Sequence, residues 1–196
     1  MSKVIANMSM SLDGYIADTA DGIDQLFGWM GNGEVEVPTA VEWATFRMSP
    51  ASAEYMREAL SGAGALITGR HLFDITQGWG GTHPVGVPVV VVTHNPPADW
   101  PHTETFTFVD SVDEAVRVAR DLAGDRNVVV ASAKIAQQCL DAGLLDGINV
   151  DLVPVLLGEG VRWFENLSKA PVQLSDPTVV EGNHVTHLAY EVVRKA

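Results

Sequence analysis

A mostly parallel α/β sheet, with helices on both faces and antiparallel strands at one edge, is the fold this sequence predicts. Three observations carry the prediction. Short runs of Val, Ile and Ala alternate with helical stretches between residues 49 and 143. Val87-Pro88-Val89-Val90-Val91-Val92 is apolar throughout rather than alternating, as in strands buried on both faces. After residue 147 strand follows strand, with Gly182-Asn183 as a hairpin turn.

Taken in order, Lys3 to Met10 is the first predicted strand. Leu12-Asp13-Gly14-Tyr15 turns the chain, and Ile16-Ala17 resumes an extended path. From Asp18 to Met48, weak periodicity, several glycines and two Trp predict long loops with short helical pieces. Irregular stretches of this length are often functional. Ser49 as N-cap and Pro50 at the first helical position open a helix that Gly62 closes. A strand over 63–68, a short helix from Arg70 to Thr76 and a loop at Gly78-Trp79-Gly80-Gly81 follow. Next come strands over 87–92 and Thr105 to Val109. Ser111-Val112-Asp113-Glu114 is a capping box whose helix ends at Gly124. Asn127 to Ala131 is a buried strand, and Ser132 caps a helix ending at Gly143. Gly147 to Leu157 is a long strand. Val179 to Glu181 and His184 to Val193 pair as the terminal hairpin. No repeat or linker divides the chain, so residues 1–196 are expected to form one domain.

Composition narrows the function. The chain has 196 residues, 46% of them hydrophobic, enough for one full core. Twenty-five acidic against 12 basic residues give a net charge of -13. Nucleic acid and anionic membranes require clustered Lys and Arg, so neither is an expected partner. No stretch is apolar enough to span a bilayer and the N-terminus lacks a signal-peptide layout, which predicts a cytoplasmic protein. Cys139 is the only cysteine, excluding an internal disulfide; its apolar surroundings predict a buried thiol. No HExxH or CxxC spacing occurs, so no metal site is expected, and no GxSxG elbow supports a serine hydrolase.

The chemistry concentrates at strand ends, where open α/β sheets bind ligands. The strand over 63–68 runs into Gly69-Arg70-His71, and Arg70 is the only Arg or Lys between Arg57 and Arg117. An isolated guanidinium at a strand end suits one specific anion, such as a cofactor phosphate, or caps a surface loop. Thr93-His94 ends the next strand, as donors or as ordinary turn residues. Ser132-Ala133-Lys134 opens a helix after a third, a position suited to a diphosphate or to a plain Ser cap. Asp13, in the turn after the first strand, orients a substrate amine or caps the turn. Trp29 and Trp79 lie in loops and either stack on a flat ring or pack internally. Neither GxGxxG nor GxxxxGK[ST] is present.

Met10-Ser11-Leu12-Asp13-Gly14-Tyr15-Ile16-Ala17, Thr68-Gly69-Arg70-His71, Leu140 to Asp146 and Val153-Pro154-Val155-Leu156-Leu157-Gly158-Glu159-Gly160 together resemble the dihydrofolate-reductase-like family. The closer branch is the reductase domain of bacterial riboflavin-biosynthesis deaminase/reductases. The resemblance implies a three-layer αβα fold around a mixed sheet, NADPH as cofactor, and a homodimer. It implies that Gly69 belongs to a strand-end cofactor motif in which Arg70 and His71 meet adenosine-side phosphates, and that Thr93 and His94 flank the 2′-phosphate and adenine. The main chain near Met10 and Ile16 would meet the nicotinamide, and Ser132, Ala133 and Lys134 the diphosphate. Asp13 would help position a small heterocycle, by family default a riboflavin-pathway ribosylaminouracil phosphate, with Trp29 and Trp79 stacking on it. Val130-Ala131-Ser132 stands where many relatives carry Glu-Gly-Gly. Two alternatives accompany this reading. A folate reductase would need an acidic residue in the pocket, for which Asp24 is the candidate. A nucleotide- or small-ligand-binding protein would keep the scaffold without reduction.

Overall fold

The structure is a computed structural model that describes residues 2–102 and 104–194. Met1, Thr103, Lys195 and Ala196, including both ends of the expected domain, lie outside the described residues. Eight strands form the central sheet: β1 (Val4–Ser11), β5 (Ala63–Gly69), β6 (Val89–Val92), β7 (Phe106–Val109), β8 (Asn127–Val130), β9 (Gly147–Val153), β11 (Thr178–Gly182) and β12 (Val185–Glu191). Their spatial order is β11-β12-β9-β1-β8-β5-β6-β7. The six strands from β9 to β7 are parallel, and β12 and β11 add antiparallel at one edge. The short strands β2 (Tyr15–Ala17) and β10 (Val161–Arg162) pair with each other, as do β3 (Val35–Pro38) and β4 (Thr45–Met48).

Helices cover both faces, as parallel strands buried on each side require. On one face lie α4 (Val112–Ala123) and α5 (Ala133–Ala142). The buried α4 residues Val112, Ala115, Val116, Ala119 and Ala123 fall on one helical stripe and pack on Ala65, Ile67, Val90 and Val128. Ser111 caps α4 by accepting from the Glu114 amide at 3.4 Å. Gly143 closes α5 with φ at 74°, a conformation costly to a residue with a Cβ. On the other face lie α2 (Pro50–Gly62) and the short helix α3 (Arg70–Ile75). Leu66, Val89 and Val91, opposite in parity to the α4-facing residues, pack there with Phe73 and Phe106.

Segment 18–48 contains the expected helical pieces, α1 (Asp24–Phe27) and a 3-10 turn over Gly28–Gly31. It also contains the β3–β4 hairpin, which the sequence reading missed because the strands are short and mostly exposed and one ends on Pro38. The long strand expected over 147–157 stops at Val153, because Pro154 has no amide to continue the ladder. His184 is not in a strand: it lies in the β11–β12 turn with φ at 55°.

Candidate functional site

Because six central strands are parallel, their carboxyl ends share one rim. In spatial order it runs from Val153-Pro154 after β9, through Ser11-Leu12 after β1, Ala131-Ser132 after β8 and Gly69-Arg70 after β5, to Thr93-His94 after β6. The structure therefore brings Gly69, Arg70, His71, Thr93, His94, Ser132, Ala133 and Lys134 onto three adjacent strand ends.

Their local geometry is specific. Ser132 does not cap α5; its hydroxyl reaches across to β5, accepting the Gly69 amide at 3.0 Å and sharing a hydrogen bond with the Thr68 hydroxyl at 3.0 Å. The first-turn amides of α5 are thus left without a side-chain cap, which suits an anion at a helix start. A Cβ on Gly69 would sit 3.3 Å from Ile135, so glycine lets this junction close. Arg70 donates Nε–H to Asp74 at 2.7 Å and Nη1–H to the Asn95 carbonyl, tying the ends of β5 and β6 together. His71 contacts the Asp21 carboxylate at 3.0 Å. Thr93 accepts the Asn95 amide at 3.1 Å, and His94 is exposed. Met10 and Ile16 meet in the apolar cluster on the α4–α5 face, next to the end of β1. The only cis peptide bond among the described residues is Ala170–Pro171, so Ala131–Ser132 is an ordinary trans link.

Three expectations need correction. Asp13 is engaged within the chain. Its carboxylate accepts from the Ser11 hydroxyl at 2.6 Å, the Gly158 amide at 2.7 Å and the Leu157 amide at 3.2 Å. The Ser11 bond chiefly, with those amides, holds its carboxyl down at about 2. Asp13 therefore fastens the turn after β1 to the Gly158 loop. Trp29 is 2% exposed and donates its indole N–H to Ser9 at 3.1 Å, so it packs mainly as a core residue and lines a surface cleft only with that small exposed part. Trp79 lies at the wrong end of the sheet. Its loop is held at the amino end of β7, where Thr105 donates to the Gly81 carbonyl at 2.9 Å, and its ring packs edge-on against His83.

One polar constellation went unread. Ser9, Asp151 and His187 stand in register across β1, β9 and β12, in one buried row on the α2 face. His187 donates Nδ1–H to Asp151 at 2.7 Å, and its Nε2 faces the Ser52 hydroxyl at 2.9 Å. Tyr55 stacks on the imidazole at 4.0 Å. Burial, then the nearby Asp151, pushes the Tyr55 phenol up, and its buried hydroxyl makes no hydrogen bond of ordinary geometry among the described residues. The signal available in sequence was a charged residue inside the apolar run Ile148 to Val153. Two adjoining clefts, of about 320 and 300 Å³, open beside this row at the ends of β9 and β12. Asp24 is exposed at the edge of the larger one rather than buried within it.

No helix among the described residues is long and apolar enough to cross a membrane, and no group of metal-binding side chains occurs among them. A doubly covered, mostly parallel sheet with an anion-suited rim defines a dihydrofolate-reductase-like α/β domain. Within that class the match is specific: over residues 2–188 the chain fits the RibD C-terminal domain family, and it belongs to that family. Among solved structures it is similar to a Shewanella sp. PV-4 protein assigned to riboflavin biosynthesis, with TM-score 0.72, 20% identity, and coverage of 98% of this chain and 99% of that one. A diaminohydroxyphosphoribosylaminopyrimidine deaminase/5-amino-6-(5-phosphoribosylamino)uracil reductase of Thermotoga maritima gives TM-score 0.60 at 14% identity, covering 98% of this chain and 57% of that one. This chain thus spans little more than half of that relative. A dihydrofolate reductase of Enterococcus faecalis, complexed with NADP(H), gives TM-score 0.58 at 16% identity, covering 98% and 97%. No curated protein sequence matches the chain.

Proposed function

We propose that this chain is a reductase that takes reducing equivalents from NADPH and acts on a small planar heterocycle of the riboflavin-pathway or folate kind. The observation that carries the reading is the convergence of Arg70, His71, Thr93, His94 and the uncapped start of α5 on one rim, with Ser132 bonded to both Thr68 and Gly69. The donor set fits a dinucleotide phosphate. Arg70 keeps Nη2 without a protein partner among the described residues, and the α5 amides and Lys134 offer a second anion position. When bound, the cofactor supplies the hydride. The protein binds its phosphates and orients its reactive ring near Met10 and Ile16. The folate-reductase alternative is weaker, since Asp24 is exposed rather than enclosed as a buried partner for a heterocycle's N–H edge.

The test is titration with NADPH and NADH, read as energy transfer from the five tryptophans. NADPH is expected to bind in the micromolar range and more tightly than NADH. Arg70→Ala is expected to weaken NADPH by about 10- to 150-fold, as loss of a charge-assisted hydrogen bond of about 1.5–3 kcal/mol implies. Absence of binding to either nucleotide overturns the reading and favours a binding protein of other specificity.

A further inference from the structure

β1 divides the rim into two halves of opposite chemistry. On the β8–β5–β6 side stand Arg70, His71, His94 and Lys134. On the β9–β12 side lie the two clefts, which share Val153, Pro154 and His184. The larger adds the carboxylate of Asp24 and the amides of Gln25 and Asn32 over an apolar floor. The smaller is walled by Leu12, Gly182, Val185 and Thr186. Among the described residues that line either cleft, none is Lys or Arg.

Cations on neighbouring segments hydrogen-bond or pair with other groups of the chain and line neither cleft. Arg47 pairs with Glu36 at 3.6 Å, and Arg57 donates to the Glu36 carbonyl at 3.1 Å. Arg162 donates to the Tyr15 hydroxyl at 2.9 Å and the Asp13 carbonyl at 3.3 Å, with its guanidinium 4.5 Å above the Tyr15 ring. A phosphate dianion leaving water needs compensating cations or converging amides. These clefts offer one imidazole, one carboxylate and two carboxamides on a chain of net charge -13.

We propose that the heterocycle taken on the β9–β12 side carries no phosphate: it is a free base or nucleoside-type compound, not a phosphoribosyl one. This rests on the reductase reading above. It separates this chain from the Thermotoga maritima relative, which is named for a phosphoribosylamino substrate. The rim then works by division of charge, with phosphate recognition confined to the cofactor half and Asp24 disfavouring anions in the other.

The experiment is calorimetric titration of the full chain at saturating NADP+ with 5-amino-6-ribosylaminouracil and with its 5′-phosphate. The unphosphorylated compound is expected to bind about tenfold tighter or more, equivalent to about 1.4 kcal/mol. Asp24→Lys, at an exposed position, is expected to narrow or invert that ratio. A phosphate ester that binds as tightly as its parent overturns the proposal, as does a ratio unchanged by Asp24→Lys. Failure of both compounds to bind while NADP+ still binds also overturns it and leaves the reductase reading standing. Failure of NADP+ itself to bind, measured in a separate titration, removes the reductase reading and the proposal with it.

Discussion

Replacing Asp151 by Leu keeps side-chain bulk and deletes the carboxylate at the centre of the buried row. Asp151 is 3% exposed and His187 1%, so water cannot replace the lost 2.7 Å bond. The His187 Nδ1–H is then buried without an acceptor, and leaving a buried donor unsatisfied costs about 1–3 kcal/mol. For a chain of this size, each kcal/mol lowers the midpoint of thermal unfolding by about 2–4 °C. The expected fall is therefore about 2–12 °C. Urea unfolding, followed by tryptophan fluorescence, gives the free energy directly. Trp29 packs edge-on against His187 at 5.0 Å and reports on the site. His187→Leu alone is expected to cost a similar amount. The triple change Asp151→Leu, His187→Leu and Ser52→Ala removes all three partners and is expected to cost less than either single change, because no buried group is left orphaned. Single substitutions costing under about 1 kcal/mol, or a triple equal to the sum of its parts, would refute the reasoning.

Two further predictions concern neighbouring features. Asp13 has its carboxyl lowered from 3.8 to about 2 in the folded chain, so the unfolded chain binds the proton first. The stabilisation is complete above pH 3.8 and is lost as pH falls through about 2; Asp13→Asn, compared by acid titration of unfolding, is expected to lack this loss. At Gly182 a Cβ would stand 2.1 Å from the Ser52 hydroxyl and 2.7 Å from Val185, so Gly182→Ala is expected to destabilise by about 1–3 kcal/mol through overpacking. An unchanged denaturation midpoint would contradict that close approach.

Much of the fold was legible because its strands are short apolar runs with clear stops. The Val-rich β6, the Ser111 and Ser49 caps and the terminal hairpin each carry their own local signal. Residues at the β8–β5–β6 side of the rim could be placed from sequence for a related reason: each follows a strand directly, so locating the strand locates the residue. The rest depends on contacts distant in sequence. Trp29 looks like a loop residue until Ser9 and His187 are seen against it. Asp13 reads equally as a ligand contact or a turn residue until Leu157 and Gly158 approach it. Asp151 and His187 are 36 positions apart and become partners only through strand pairing. Hairpin β3–β4 lacks both an apolar run and a short turn signal, so only its packing on α2 reveals it.

Strand addition at the β9 edge poses a matching problem that hydrophobicity alone does not solve. Sliding β12 by one residue would turn its buried side chains outward, an error the apolar pattern forbids. Sliding it by two would keep every side chain on its own face, and the apolar pattern is nearly blind to that error. In the observed pairing Asp151 faces His187; displaced by two, it would face an aliphatic position such as Ala189. An unpaired carboxylate sealed under α2 makes that alternative far less stable. The polar row therefore works as a key, admitting one even alignment of the last two strands among several that would otherwise compete.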